Sequence, residues 1–260
     1  MLGAMYLLRD LKGLIGPLLV PRQFPAMLRQ SFGLMRTKKL RFRERRDESA
    51  DIATFVFEPV RAIHWQAGQH LFYHLPHPDR DKNGAYRFFT ISSAPGDGQV
   101  TVTTRLSKPG SSFKQALQKL SAGDIVRARG PLGIFTFDDP HKTAVFVAGG
   151  IGITPFRAIL HDLDQRGLAI KVYLFYVNSS EDFPFRAELD SLEARHPDLR
   201  IRYVVSPTRV TTEDFQSLPD WERLEFYLSG SPGMVNHYHA LLKNLGLPRR
   251  QRHRDILIGY

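Results

Sequence analysis

Residues 144–155, Ala144-Val145-Phe146-Val147-Ala148-Gly149-Gly150-Ile151-Gly152-Ile153-Thr154-Pro155, decide how this chain is built. Ala144 to Val147 reads as a buried strand, and Phe156, Ile159, Leu160 and Leu163 recur at the spacing of a helix that starts near Phe156. A strand that turns through glycines into a helix aims backbone N–H groups at open space beside the positive end of the helix dipole, which is a place for a pyrophosphate. Gly149 and Gly150 are expected to take φ > 0 in the turn, and Gly152 to let a dinucleotide approach the backbone. Pro155 suits the first helical turn, where its missing N–H costs little. Taken alone, the cluster also fits a tight βα turn without a ligand.

Working outward, the alternation continues downstream. Lys171 to Val177 reads as a second strand, Phe185, Leu189 and Leu192 mark a helix, and Ile201 to Val205 a third strand. Phe226 to Leu228 leads through Ser229-Gly230-Ser231-Pro232-Gly233 into a helix marked by Met234, Tyr238, Leu241, Leu242 and Leu245. Asp255 to Ile258 reads as a last strand. Strands alternating with helices imply a parallel sheet whose ligands bind at the carboxyl ends of the strands. Upstream, Leu40 to Phe137 is a series of short β-like runs: 53–57, 69–75, 87–91, 100–106 and 125–128, separated by turns such as Pro95-Gly96-Asp97-Gly98. That spacing predicts an antiparallel barrel or sandwich, and the boundary falls near 138–141. The fold class is therefore all-β followed by α/β. The chain divides into a basic extension over 1–38, a β-barrel domain over 39–139 and an α/β domain over 140–260.

The chain has 260 residues, 42% of them hydrophobic, enough to bury a core in one large or two ordinary domains. It has no cysteine, which excludes disulfides, thiolate zinc sites, a cysteine nucleophile and an iron–sulfur cluster held by cysteines of these residues. A reduced, cytoplasmic setting fits that composition. The net charge of +10 is concentrated in Arg36, Lys38, Lys39, Arg41, Arg43, Arg45 and Arg46, and again in Arg249, Arg250, Arg252 and Arg254. Such faces steer acidic partners. No aromatics interleave the later arginines, so no nucleic-acid partner is expected. Arg9, Asp10 and Lys12 interrupt the apolar patches of the first 35 residues, short of the roughly 20 apolar residues of a membrane span. Neither a span nor a signal peptide is expected, and the segment reads as a helix packed on its own domain or a basic amphipathic one in peripheral contact with a membrane.

Three barrel segments carry chemistry: Arg87-Phe88-Phe89-Thr90, Gly110-Ser111-Ser112 opening a helix-like stretch, and Gly130-Pro131-Leu132-Gly133. An arginine presents a rigid fork to a phosphate, an aromatic two residues later shares its side of a strand and can cover a flat ring, and a threonine hydroxyl can bond a ring nitrogen. Equally, Arg87 can be a surface strand arginine and Phe89 a core ring. Over roughly positions 40–260 the chain resembles the ferredoxin–NADP reductase superfamily of flavoproteins. The resemblance rests on four ordered motifs: Arg-x-Tyr-Ser/Thr at Arg87 to Thr90, Gly-x-Ser at Gly110 to Ser112, Gly-Gly-Ile-Gly-Ile-Thr-Pro at Gly149 to Pro155, and Cys-Gly-Pro-Pro-x-Met at Ser229 to Met234.

The resemblance implies an antiparallel Greek-key barrel binding FAD, an α/β domain binding NAD(P)H, and hydride transfer from the nicotinamide to the flavin. It implies that Arg87 holds the FAD phosphate, Phe88 and Phe89 line the flavin, and Thr90 lies near N5. Gly110, Ser111 and Ser112 would hold the FAD pyrophosphate. Gly149, Gly150, Gly152, Thr154 and Pro155 would form the NAD(P) pyrophosphate turn, and Ser229, Gly230 and Met234 the nicotinamide end. Tyr260, after a parallel strand, would emerge at the crevice and stack on the flavin, or be a frayed terminus. Phe89 replaces the usual tyrosine, keeping the ring and losing a phenol hydrogen bond, and Ser229 replaces a cysteine, losing a polarizable sulfur. The implied function is a reductase passing electrons to an acidic ferredoxin or flavodoxin or to an oxygenase component, and the alternative is an FAD-binding regulatory or electron-transfer subunit with little turnover. His70, His74 and His77 do not make a metal site, because in a strand positions 70 and 74 are roughly 13 Å apart. No hydrolase motif is present. After the second strand no arginine comes before Arg186, which favours NADH, although Arg202 or Arg209 would favour NADPH.

Overall fold

The β-like half forms a six-stranded antiparallel sheet: β1 (Lys38–Ser49), β2 (Ile52–Pro59), β3 (His70–His74), β4 (Tyr86–Thr90), β5 (Val100–Arg105) and β6 (Ile125–Leu132), in the order β4-β3-β6-β1-β2-β5. This is a computed structural model that describes residues 36–106, 110–137, 139 and 141–257. The sheet curls because apolar residues alternate inward. Leu40 and Phe42 of β1, Phe55 and Phe57 of β2, Leu71 and Tyr73 of β3, and Val126 and Ala128 of β6 share one buried cluster. Helix α1 (Ser112–Gln118) contributes Phe113 and Leu117 to that cluster. Where the ends of the sheet approach, buried hydroxyls link up: Ser92 Oγ lies 2.8 Å from both Thr101 and Thr103 Oγ1, and Thr103 Oγ1 lies 2.8 Å from that of Thr54.

The basic stretch around 36–46 proves to be most of β1. Leu40 and Phe42 point inward while Lys39, Arg41 and Arg43 point to solvent, so much of that charge is the exposed face of a strand.

The second half is a five-stranded parallel sheet of β7 (Ala144–Gly149), β8 (Val172–Asn178), β9 (Leu199–Val205), β10 (Glu225–Gly230) and β11 (Arg252–Ile256), in the order β11-β10-β7-β8-β9. Helices α2 (Ile153–Gln165) and α3 (Arg186–Arg195) follow β7 and β8, and α4 (Thr212–Gln216) and α5 (Pro232–Asn244) flank β10. Both faces are covered, which explains the unbroken apolar run of β7. Ala144, Phe146 and Ala148 pack in the α2/α3 cluster, while Val145 and Val147 pack in the α4/α5 cluster. Helix α2 starts at Ile153, earlier than the expected Phe156, because residues 150–152 already turn as a 3-10 segment. The last strand begins at Arg252 rather than Asp255.

Strand order reverses between β7 and β10, so the switch point at the carboxyl ends of the sheet, where such sheets bind ligands, lies beside Gly149 and Ser229. The barrel is joined firmly to this sheet. Ala67 and Phe135 of the barrel side belong to the α2/α3 cluster, with Phe135 5.7 Å from Phe156 and 5.6 Å from Tyr227 between ring centroids. Burying one such ring contributes about 1.5–3 kcal/mol. Arg157 of α2 donates to the Ser92 carbonyl at 2.6 Å and pairs with Glu188, and Gln165 reaches Asp97 at 2.5 Å.

Candidate functional site

Strand alternation places Arg87 and Phe89 on one side of β4, and both face the ring of Phe113. The guanidinium carbon of Arg87 lies 5.5 Å from its centroid, and the ring of Phe89 lies 5.7 Å from it and 5.8 Å from Tyr73. Phe89 is only partly buried against the barrel core, so some of its surface remains open. Phe88 and Tyr86 face the other way, 47% and 44% exposed, with Thr90 half-buried beyond them on the same face. Phe88 stacks on Phe72 at 4.4 Å, Phe72 on Tyr86 at 5.1 Å, and Tyr86 on His74 at 4.4 Å.

The helix start from Gly110 to Ser112 comes together with Arg87 through residues the sequence reading missed. Ser111 caps α1 by accepting from the Lys114 N–H. Ser112 Oγ lies 2.9 Å from His77 Nε2 and accepts from the Asp81 N–H at 3.0 Å, and its own N–H donates to Asp81 Oδ2 at 3.1 Å. Asp81 in turn pairs with Arg87 at 2.6 Å. Burial alone would push the Asp81 carboxyl up, but hydrogen bonds from Arg87, the Asn83 N–H and Ser112 hold it below the usual carboxylate range. His70 and His74 lie on the outer face of β3, and burial lowers the His70 pKa to about 4.

The glycine turn divides its tasks differently from expectation. Gly150 takes φ +53°, whereas Gly149 has φ −115° and instead makes room for Met234, whose sulfur a Cβ there would strike. Gly152 is needed for packing: a Cβ would overlap the Ser229 carbonyl and lie 2.7 Å from Gly230 Cα. Thr154 is 2% exposed and donates its hydroxyl to the Ile151 carbonyl at 3.1 Å, and Pro155 is buried in the first turn of α2. Gly150 has room for a Cβ without a clash: it would touch both Arg105 Nη2 and Asn178 Oδ1 at 3.8 Å. Arg105 is the last residue of β5, so a barrel cation reaches the turn of the other domain, anchored to Asp51 at 2.6 Å. Its backbone carbonyl also accepts from the buried Lys114 ammonium at 2.9 Å, whose pKa is lowered by burial and then by Arg87 and Arg105. A cradle beside Gly150, backed by a fixed cation, fits a pyrophosphate, and Arg87 with the Ser112 N–H forms a donor set of the same kind.

At the carboxyl end of β10, Ser229 is fully buried and Gly230 has φ +154°. Ser229 Oγ donates to Asp255 Oδ2 at 3.1 Å across the β10–β11 pair, a partner missed because the two are 26 positions apart. The Asp255 residue keeps some exposed surface, but its carboxyl is desolvated, which pushes its pKa up to about 6 despite the Ser229 hydrogen bond. Tyr260 lies outside the described residues, as do the first 35, on which the expectation of a basic amphipathic segment rested. Among the described residues no helix is long and apolar enough to cross a membrane.

Comparison with known proteins agrees with this geometry. Residues 39–137 match the oxidoreductase FAD-binding domain family and residues 146–240 the oxidoreductase NAD-binding domain family. A ferredoxin–NADP reductase B of Sorangium cellulosum is 37% identical over 171 residues, 64% of each chain. A flavohemoprotein of Pseudomonas putida is 26% identical over 232 residues, covering 83% of this chain and 57% of that protein. The chain thus spans little more than half the length of several of the curated relatives it matches. Among solved structures, an Amycolatopsis cytochrome P450 reductase superposes with a TM-score of 0.73 at 22% identity, covering 85% of this chain and 69% of that one. A curled antiparallel sheet that matches an FAD-binding family, joined to a parallel sheet that matches an NAD-binding family, makes this chain a member of the ferredoxin–NADP reductase superfamily.

Proposed function

We propose that the chain is an NAD(P)H-dependent flavin reductase that passes electrons to a separate acceptor. The observation that carries this reading is Arg105: it ends a strand of the FAD-binding domain, yet its guanidinium stands 3.8 Å from where a Gly150 side chain would be. This contact across the two domains supports placing the residues suited to each cofactor next to one another. In this reading Arg87, Ser111 and Ser112 hold the flavin's phosphates, Phe89 lies against its ring and Thr90 near N5. The Gly150 backbone and Arg105 hold the pyrophosphate of NAD(P)H. Thr154 supports the turn from inside rather than touching ligand, and Ser229 with Asp255 forms the floor under the nicotinamide.

FAD, when bound, accepts hydride from NAD(P)H and releases electrons onward. The protein's part is to align the two rings and exclude water, which Phe89, the tightly packed Gly152–Ser229 contact and the interdomain wedge of Phe135 all serve. The acceptor is inferred to be an acidic carrier such as a ferredoxin or flavodoxin, or an oxygenase component. Two features support that. These residues contain no cysteine for a cluster of their own, and the outer barrel face presents Phe88 and Tyr86 beside Lys39, Arg41, Arg127 and Arg129.

The test is steady-state turnover of the FAD-loaded chain with NADH or NADPH, using ferricyanide as acceptor and then an acidic ferredoxin. Turnover with ferricyanide at rates of enzymatic size supports the reading, and a ferredoxin rate that falls as salt rises supports the cationic docking face. Tight FAD binding without turnover with either nucleotide would favour the regulatory-subunit alternative.

A further inference from the structure

Both terminal nitrogens of the Arg87 guanidinium are already engaged. Nη1 donates to the carbonyls of Gly84 at 3.1 Å and Tyr86 at 2.7 Å, and Nη2 to both carboxylate oxygens of Asp81, at 2.7 and 2.6 Å. The side chain is 13% exposed, so little of the guanidinium is open to another anion. The Asp81 carboxylate also accepts from the Ser112 N–H at 3.1 Å and from the Asn83 N–H at 2.9 Å. A carboxylate thus sits between a guanidinium and a backbone N–H, which is the donor pair a phosphate oxygen would take.

We propose that Asp81 is a built-in competitor at the flavin's phosphate position, so that binding FAD exchanges one anion for another on Arg87 and Ser112. This rests on the reading of Arg87 as a flavin phosphate ligand. The exchange is electrostatically sound. Arg87 bears on the buried Lys114, and among the described residues Arg87 is paired with one carboxylate, Asp81. A doubly charged pyrophosphate neutralises that group better than one carboxylate does. Asp81 lies in the connection between β3 and β4, so its release from Arg87 breaks no strand pairing. Among the backbone bonds in that connection are Leu75 N–H to Ala85 O at 3.0 Å, at its base, and Gly84 N–H to Asp81 O at 2.8 Å, within it. Asp81 is therefore a residue that sets flavin affinity and weakens phosphorylated flavins selectively.

The experiment titrates the flavin-stripped full chain with FAD and with riboflavin, following flavin fluorescence, for the parent chain, Asp81→Asn and Arg87→Gln. Removing a charge-assisted competitor is expected to tighten FAD about tenfold in Asp81→Asn. Riboflavin, which has no phosphate, should bind the two alike, and Arg87→Gln should weaken FAD. If Asp81→Asn binds FAD no tighter than the parent while Arg87→Gln weakens it, Asp81 merely supports Arg87 and the proposal falls, with the phosphate role of Arg87 intact. If neither substitution changes FAD binding, that role falls as well. Should Asp81→Asn fold poorly, amide hydrogen exchange on the parent chain decides. FAD must speed exchange at the Asp81 amide, whose N–H donates to Ser112 Oγ, and slowed or unchanged exchange there overturns the proposal.

Discussion

Substituting Gly152 by alanine tests the packing of the crevice most sharply. The new methyl would overlap the Ser229 carbonyl and crowd Gly230 Cα, both of them backbone, so no side chain can swing aside. The turn after β7 must then back away from the end of β10. Overpacking of this kind costs about 1–3 kcal/mol, and a rigid backbone neighbour puts the cost in the upper half, about 2–3 kcal/mol. For a chain of this size that corresponds to a fall in Tm of roughly 4–12 °C. Gly150→Ala is the matched control. Its Cβ meets nothing closer than 3.8 Å, so only the φ of +53° is costly, at about 1–2 kcal/mol. Its methyl, however, points into the proposed pyrophosphate cradle. Differential scanning calorimetry with and without NADH should therefore show Gly152→Ala as the less stable protein and Gly150→Ala as the one whose Tm no longer rises with nucleotide. A Gly152→Ala protein melting within a degree of its parent would refute the close approach of the two turns.

Asp255 makes stability depend on pH. Its folded pKa of about 6 lies above the ordinary 3.8, so the folded state holds the proton more tightly, and stability is lost as pH rises through about 6. The loss at pH 7 is on the order of 3 kcal/mol, and Asp255→Asn should therefore melt higher than the parent at pH 7 and equally at pH 4. Arg105→Ala should raise KM for the nucleotide about tenfold while leaving FAD content unchanged, measured by steady-state kinetics and flavin absorbance. Turnover should favour NADH over NADPH, because Arg202 is committed to Asp214 and Arg186 is held by Glu181 at 3.9 Å and Asp190 at 3.7 Å, leaving neither ready for a 2′-phosphate. A higher kcat/KM for NADPH would mean that one of these pairs opens or that the exposed Arg209 takes the 2′-phosphate, which Arg209→Ala decides.

The sequence made local features legible and left long-range ones hidden. The β7–α2 turn announces itself because strand, glycines and helical spacing are contiguous, and alternation along β4 correctly placed Arg87 and Phe89 on one side. Strand β1 was harder to see: only Leu40 and Phe42 carry its apolar alternation at one end, and its charges read as a basic patch. The partners that tune the site could not be read from spacing at all. Asp255 meets Ser229 only through parallel strand pairing, and Arg105 meets Gly150 only because two domains pack together. Asp81 was the nearest miss. It lies six residues before Arg87, in a loop whose return toward α1 is fixed by Ser112, 31 positions away. Gly152 carries a packing role that spacing could not show, since a Cβ there would overlap the end of β10.

Electrons are proposed to enter this chain from NAD(P)H through a flavin held between the two domains. Anaerobic stopped-flow mixing of the FAD-loaded full chain with NADH, and separately with NADPH, tests it directly. Rapid bleaching of the flavin's visible band by at least one nucleotide, fastest with NADH, is the expected result. An oxidised flavin spectrum that persists under saturating amounts of both nucleotides would contradict it.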